Sequence, residues 1–317
     1  MKNRRLSWAL SMGLLLLPAT TAAGASLLES VPVPLDASDP TRTRVGRLEF
    51  RGGLALSSPQ AGFGGLSDFR LDGRRLLAIS DEGGRFQFEV RIENGRLTGV
   101  GSALQGGMLL DTTGSELDGK ANQDAESMAP LPGGGYLVGF EQRHRVLRYP
   151  ELTGPAQAWP TPPGLEGAPR NGGLEAMTAL ADGRVLALTE ELEADGHVAG
   201  WIWDKDGWAP LRYRVDGDPR PAGAALLPNG DVVVVERSYS PLTGVTARLR
   251  RIQADQVVPG GTLAGELLAE LRRPITVDNF EAIEALRGPA GETLLLLLTD
   301  DNFNPLQRTL LLLFALD

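Results

Sequence analysis

The chain has 317 residues, with 40 Asp and Glu against 31 Lys and Arg, 40 Gly, 22 Pro and no Cys. This length and 42% hydrophobic content can bury a full core and exclude disorder, while a formal charge of −9 argues against a nucleic-acid or anionic-membrane partner. Lack of Cys removes disulfides, thiol nucleophiles and thiolate metal sites, and two His, His144 and His197, leave little for a zinc centre or a Ser/His/Asp triad.

At the N-terminus, Lys2, Arg4 and Arg5 precede an apolar run from Trp8 to Leu17 and then small residues through Ala25. This layout predicts a secretory signal peptide over residues 1–25, cleaved near Ala23 to Ala25. The run is about half of the ~20 residues needed to span a bilayer. Later apolar runs, Leu294 to Leu298 and Leu310 to Leu313, are strand-length. A periplasmic or secreted product without an integral membrane segment is expected. Arg4-Arg5 fits an ordinary basic leader better than a twin-arginine signal, because Leu6-Ser7-Trp8 continues the latter poorly. Without the leader, 28 basic residues face 40 acidic ones, a charge of −12.

Residues 26–45 read as an extended lead, followed by a strand from Gly46 to Leu56. Five units then share one plan: an acidic or small residue, an apolar strand, a Gly turn, a second apolar strand, then acidic or amide residues. They begin at Gly65, Asp124, Gly173, Pro221 and Asn279. Their turn glycines, Gly73, Gly134, Gly183, Gly230 and Gly291, recur at intervals of 61, 49, 47 and 61 residues. Such a period is close to that of four-stranded propeller blades, ~40 to 50 residues each. Asp72-Gly73, Asp182-Gly183 and Asn229-Gly230 are tight-hairpin dipeptides. Two more strands follow each hairpin, for example Phe86 to Ile92 with Arg96 to Val100, or Trp201 to Trp203 with Leu211 to Val215. The last unit has Thr309 to Leu316 as its third strand and then no more chain, so the N-terminal strand is expected to complete it and close the ring. The fold class expected over residues 46–317 is all-β: a single propeller of five to six blades, a sixth being sought in Thr243 to Leu271 or Gly101 to Asn122.

Hairpin polarity puts the start of a first strand and the end of a second at one end. Applied to every unit, it gathers Asp68, Glu126, Glu175, Glu281, Asp81, Glu82, Glu141, Glu190, Glu191, Glu236, Asp300 and Asp301 at one rim. Crowded carboxylates repel unless some protonate or a cation joins them. Oxygen donors without His or Cys select calcium before magnesium. Asp81, Glu126, Glu141, Glu175, Glu281 and Asp300 are the candidate metal ligands, Glu82 and Glu190 the candidate bases. Arg85, Arg143 and Arg237, just past acidic strand ends, are candidates for holding a substrate's phosphate or carboxylate oxygens. His144 and His197 read as loop and turn residues. There is no Gly-x-Ser-x-Gly elbow, Walker loop, dinucleotide fingerprint or His-Glu-x-x-His.

The Asp124-Ala125-Glu126-Ser127-Met128 segment, its echoes Gly173-Leu174-Glu175-Ala176-Met177 and Asn279-Phe280-Glu281-Ala282-Ile283, and the closing Thr299-Asp300-Asp301-Asn302 resemble the phytase-like domain of exported bacterial proteins, often labelled esterase-like activity of phytase. The resemblance covers about Gly46 to the end. It implies a propeller related in kind to calcium-dependent alkaline phytases, with an acidic channel that binds calcium ions and substrate phosphate. Glu126, Glu175, Glu281, Glu141 and Asp300 match the channel-lining positions.

The function expected is an exported, calcium-dependent hydrolase of phosphoric esters, a monomer acting on a small anionic molecule. Two alternatives use the same rim: a noncatalytic propeller that binds a ligand or partner and holds structural calcium, and a lactone or carboxylic-ester hydrolase needing fewer Arg.

Overall fold

The structure is a computed structural model that describes residues 26–317; the predicted signal peptide lies outside the described residues. Five antiparallel sheets follow one another along the chain. Their innermost strands are Leu66–Asp72, Ala125–Pro130, Leu174–Ala179, Arg220–Leu226 and Asn279–Arg287, each hydrogen-bonded to the next strand of its own hairpin. Each inner strand also packs against inner strands of neighbouring blades, and the fifth packs against the first. The arrangement is a five-bladed propeller around a central channel. Helix is confined to Lys120–Gln123 and two 3-10 turns among the described residues.

Among the described residues there are five blades and no sixth. Gly244–Ile252 and Glu266–Arg272 are the outer strands of the fourth blade, and Ala103–Met108 is an outer strand of the first. The first blade also departs from the expected order: Arg96–Val100 pairs with the far half of Gly84–Glu93, while Ala103–Met108 pairs with its near half. A ten-residue third strand is long enough to carry both partners side by side.

Ring closure follows the sequence expectation. Leu48–Ser57 pairs with Thr309–Leu316, so the fifth blade is built from both ends of the domain. The lead is extended and stitched at two places: Ser26–Leu27 adds to the first blade and Glu29–Pro32 to the fifth. It therefore bridges the outer edges of neighbouring blades, covering backbone groups that would otherwise be free to pair with other chains.

Alternating side chains of each sheet fill the spaces between blades. Leu66, Phe69, Leu76 and Phe86 of blade one meet Leu296, Leu298, Leu311 and Leu313 of blade five in one core. Phe280, Ile283, Leu295 and Leu297 of blade five meet Val233, Val235 and Leu249 of blade four in the next. A fully buried Leu contributes about 1.5–3 kcal/mol, so this packing fixes the radial position of each inner strand. Trp203 meets Trp208 edge to face and Trp159 at a tilt, and together they pin the linker after blade two onto blade three, where Trp208 Nε1 donates to Pro160 O at 2.7 Å.

Candidate metal and active site at the channel mouth

Every inner strand carries the same irregularity. The register with its partner slips by one residue, leaving Ser67, Glu126, Glu175, Ala222 and Glu281 as the extra residue of a β-bulge. A bulge bends the strand and re-aims a side chain. In three blades that side chain is a glutamate, which explains why Glu recurs at one offset without any turn chemistry to require it. Across the hairpin, the second strand reaches the same height at Asp81, Glu141, Glu190, Arg237 and Asp300. One position per blade thus gives four carboxylates and one arginine.

These residues converge. A cavity of about 350 Å³ at the mouth is lined by Asp81, Asp124, Glu126, Glu141, Glu175, Glu190, Glu281 and Asp300, with Lys120, Arg237, Gln142, Asn171, Asn279 and Asn302. All six candidate metal ligands therefore share one cavity with Glu190 and Arg237. Glu82, Arg85 and Arg143 stand outside it. After the last inward residue of a second strand the chain turns away from the channel, so Glu82 lies in an exposed turn and Arg143 beside Asn122. Arg85, on the third strand, donates through Nε to Met108 O at 3.2 Å.

Four other carboxylates expected at the rim are also elsewhere. Asp68, one residue past its bulge, points down the channel, where its Oδ1 accepts from Arg70 Nη1 at 2.7 Å and its Oδ2 from Met128 N at 2.6 Å. Glu236 faces the space between blades three and four, held by Tyr213 Oη at 2.7 Å and Arg250 Nε at 2.9 Å. Asp301 accepts from Gly65 N at 3.0 Å and ties the fifth blade to the first, and Glu191 is exposed beyond the strand's inward turn. Conversely, Asp124 and Lys120, which hairpin polarity alone does not place at the rim, also line the mouth. His144 Nε2 lies 3.0 Å from Pro169 O, in the loop where it was expected, whereas His197, expected in a turn, opens the strand His197–Asp204 just after the Asp195-Gly196 turn, its Nδ1 2.8 Å from Asp195 O.

The two cations are already engaged. Lys120 Nζ lies 2.6 Å from Asp124 Oδ1 and 2.9 Å from Asp81 Oδ2. Arg237 donates through Nη1 to Asn279 Oδ1 at 2.9 Å and through Nη2 to Glu190 Oε1 at 3.3 Å. Its Nη2 is also 3.2 Å from Glu281 Oε2, without hydrogen-bond geometry. Burial works against the guanidinium's charge, but Glu281 and Glu190 outweigh it and raise its pKa.

No cation reaches Glu126, Glu141, Glu175 or Asp300 within ion-pair distance among the described residues. Burial, then Asp124 and Glu141, push Glu126 well above the usual carboxylate range. Burial, then Glu126 and Glu141, do the same to Glu175. Burial lifts Glu141 to about 7 although Gly173 N–H donates to it, and lifts Asp300 to about 7 against the Asn302 N–H. Burial also carries Glu281 to about 8, in spite of Arg237. Like charges held together in one largely buried cavity titrate upward unless positive charge enters.

Asp124, Glu126 and Glu141 each offer an oxygen within 4.8 Å of the others, the reach of a single ion. The donor set is all carboxylate and amide oxygen, with no sulfur or imidazole, and that chemistry fits a hard divalent cation.

The family model of the phytase-like proteins, described as esterase-like activity of phytase, matches residues 61–303. The chain belongs to this phytase-like family. No curated protein matches its sequence. Among solved structures it is similar to a protein of unknown function from Dyadobacter fermentans DSM 18053, at 12% identity and TM-score 0.47, over 93% of this chain and 95% of that one. It is also similar to a luciferin-regenerating enzyme, at 10% identity and TM-score 0.42 over 90% and 96%. A nidogen/laminin complex chain matches at 10% identity and TM-score 0.46 over 80% and 87%. Among the described residues of this phytase-like chain, no helix is long and apolar enough to cross a membrane.

Proposed function

We propose that this phytase-like protein is an exported, calcium-dependent hydrolase of phosphoric esters whose reaction takes place at the channel mouth. The observation that carries the reading is a charge imbalance: eight carboxylates face one cavity with only Lys120 and Arg237 among them. The family's description supports an ester as substrate, and the basic, apolar, small-residue order of the first 25 residues supports export.

Asp124, Glu126 and Glu141 would hold the ion, with Asp81, Glu175, Glu281 and Asp300 close enough in the cavity to share others. When bound there, calcium supplies the positive charge that stabilises negative charge developing on the ester oxygens. The remaining work falls to side chains. Arg237 orients Glu190, whose carboxylate takes a proton from the attacking water. The amides of Gln142, Asn171 and Asn302 offer donors and acceptors to the substrate's oxygens. Arg70, filling the channel below, leaves the substrate one route in and out.

A second reading, a ligand-binding propeller with structural calcium, is favoured by the engagement of Arg237 and Lys120 with carboxylates, since neither charge is spare for an anion. The two readings part in one experiment. Phosphomonoesters, phosphodiesters, lactones and carboxylic esters are offered to the protein with calcium and with chelator. Phosphate-ester turnover that needs calcium and is lost in Glu190→Gln supports the hydrolase. Silence across the panel, with calcium still bound, leaves the binding propeller; turnover confined to lactones or carboxylic esters moves the chemistry to that class.

A further inference from the structure

The two cations at the mouth are held very differently. Arg237 is largely buried, and its planar fork is shared among Glu190, Glu281 and Asn279. Lys120 sits on the short helix Lys120–Gln123 at the rim, its side chain half exposed, and its ammonium spans Asp81 O at 3.0 Å, Asp81 Oδ2 and Asp124 Oδ1. A lysine ammonium is a compact point charge on a flexible stem, able to change partners without rebuilding a fork. Its partner Asp124 is one of the three carboxylates that lie within reach of a single ion. The ammonium therefore occupies the charge environment that an incoming cation needs.

Resting on the calcium reading above, we infer that Lys120 is an exchangeable counter-ion. It neutralises Asp124 and Asp81 while the carboxylate cluster holds no metal. Once a divalent cation is shared by Asp124, Glu126 and Glu141, the ammonium is repelled from Asp124 and turns to the anionic group of the substrate. Lys120 is thus a competitor of the metal in one state and a substrate-positioning residue in the other. This removes the difficulty that no positive side chain at the mouth is spare.

The chain contains three lysines, Lys2, Lys120 and Lys205, and protein without the expected leader, residues 1–25, keeps the last two, so one variant assigns both of its lysine side-chain signals. In protein labelled at lysine Cε, calcium should move the Lys120 signal, identified by its absence in Lys120→Arg, and leave Lys205 in place. By calorimetry, Lys120→Met should bind calcium about ten-fold more tightly than wild type, the effect of removing one competing charge near a divalent ion. Calcium-loaded Lys120→Met should bind inorganic phosphate about ten-fold more weakly, and Lys120→Arg should keep most of that affinity. Calcium binding that leaves the Lys120 signal still and the affinity of Lys120→Met unchanged overturns the exchange alone. Calcium exchange with unaltered phosphate affinity overturns the substrate role. A wild-type protein that binds no calcium removes both the metal reading and this inference. Should Lys120→Met fail to fold, the wild-type lysine signal still decides the exchange.

Discussion

Arg70 Nη2 of the first blade donates to the main-chain oxygen of Met177 in the third, 2.6 Å away and 107 residues further along the chain. The same guanidinium bonds Met128 O of the second blade, Phe69 O at 2.5 Å and Asp68 Oδ1 at 2.7 Å, and its Nε lies 3.8 Å from Glu284 of the fifth. One side chain thus ties four blades together across the channel floor. Replacing it with Met keeps the volume but leaves Asp68 buried without its cation and three carbonyls without a donor. Breaking a buried pair in this way costs about 3–5 kcal/mol. Urea unfolding of Arg70→Met should report a loss of that size, and adding Asp68→Asn should recover part of it; a variant as stable as wild type contradicts the assignment.

The floor also sets a pH dependence. Burial pushes Glu284 up to about 7, with Arg70 pulling it down, and Asp68 up to about 6, again against Arg70. Both folded-state values exceed those of the unfolded chain, 4.5 and 3.8. In the window between, the folded protein keeps a proton that the unfolded chain has released, so stability falls as pH rises from about 4 to about 7. Glu284→Gln has no such proton to lose. Its stability curve should be flatter than wild type between pH 4.5 and 7, and parallel to it above; identical slopes would place Glu284 in contact with water.

How far the sequence could show this site depends on what repeats. Glu126, Glu175 and Glu281 were legible because one bulge recurs in every blade and three blades fill it with Glu. Asp124 was within reach of the same alignment: it stands two residues before Glu126, as Asn279 stands before Glu281, and both line the cavity. Lys120 was not, since it comes from a linker that no other blade repeats. Hairpin polarity correctly fixes the end of a strand but not the face. In blade four the second strand, Val232–Ser240, runs on past the rim, and there Arg237 takes the inward position while its neighbour Glu236 falls between blades against Tyr213 and Arg250. Arg70 lies inside an apolar strand, where nothing in the pattern distinguishes a channel-spanning guanidinium from a surface one.

Blade spacing around the mouth gives a third expectation. Gly223 follows the bulge of blade four, and a Cβ there would meet Glu281 O at 2.5 Å and Ala282 Cα at 3.1 Å. Both obstacles are main-chain atoms of the fifth blade's inner strand. Gly223→Ala must push the two blades apart, at about 1–3 kcal/mol for overpacking, and would shift the backbone that carries Glu281. A lower melting temperature together with weaker calcium binding is expected. Gly230→Ala serves as the control, because no atom lies within 4 Å of its added Cβ, so its cost comes only from the positive φ of the turn and calcium affinity should stay put.

The last expectation tests the metal itself. Among the described residues Glu126, Glu141, Glu175 and Asp300 lack a cation partner, and burial with repulsion from neighbouring carboxylates raises their pKa values, so ionising them together in the folded state is costly. A divalent ion that binds only the folded ring relieves the repulsion. At a free calcium concentration 100 times the dissociation constant, linkage gives ~2.7 kcal/mol of added stability. Calcium should therefore raise the melting temperature and chelator lower it, more strongly at pH 8 than at pH 5, where the carboxylates hold protons instead. In Glu126→Gln/Glu281→Gln the calcium response should vanish, because two of the mouth's bulge carboxylates are gone, and the calcium-free protein should be more stable than calcium-free wild type at pH 8. Melting curves of wild type that ignore calcium and chelator at both pH values would withdraw the metal from the mouth, and the carboxylates would then have to be held neutral by their own protons.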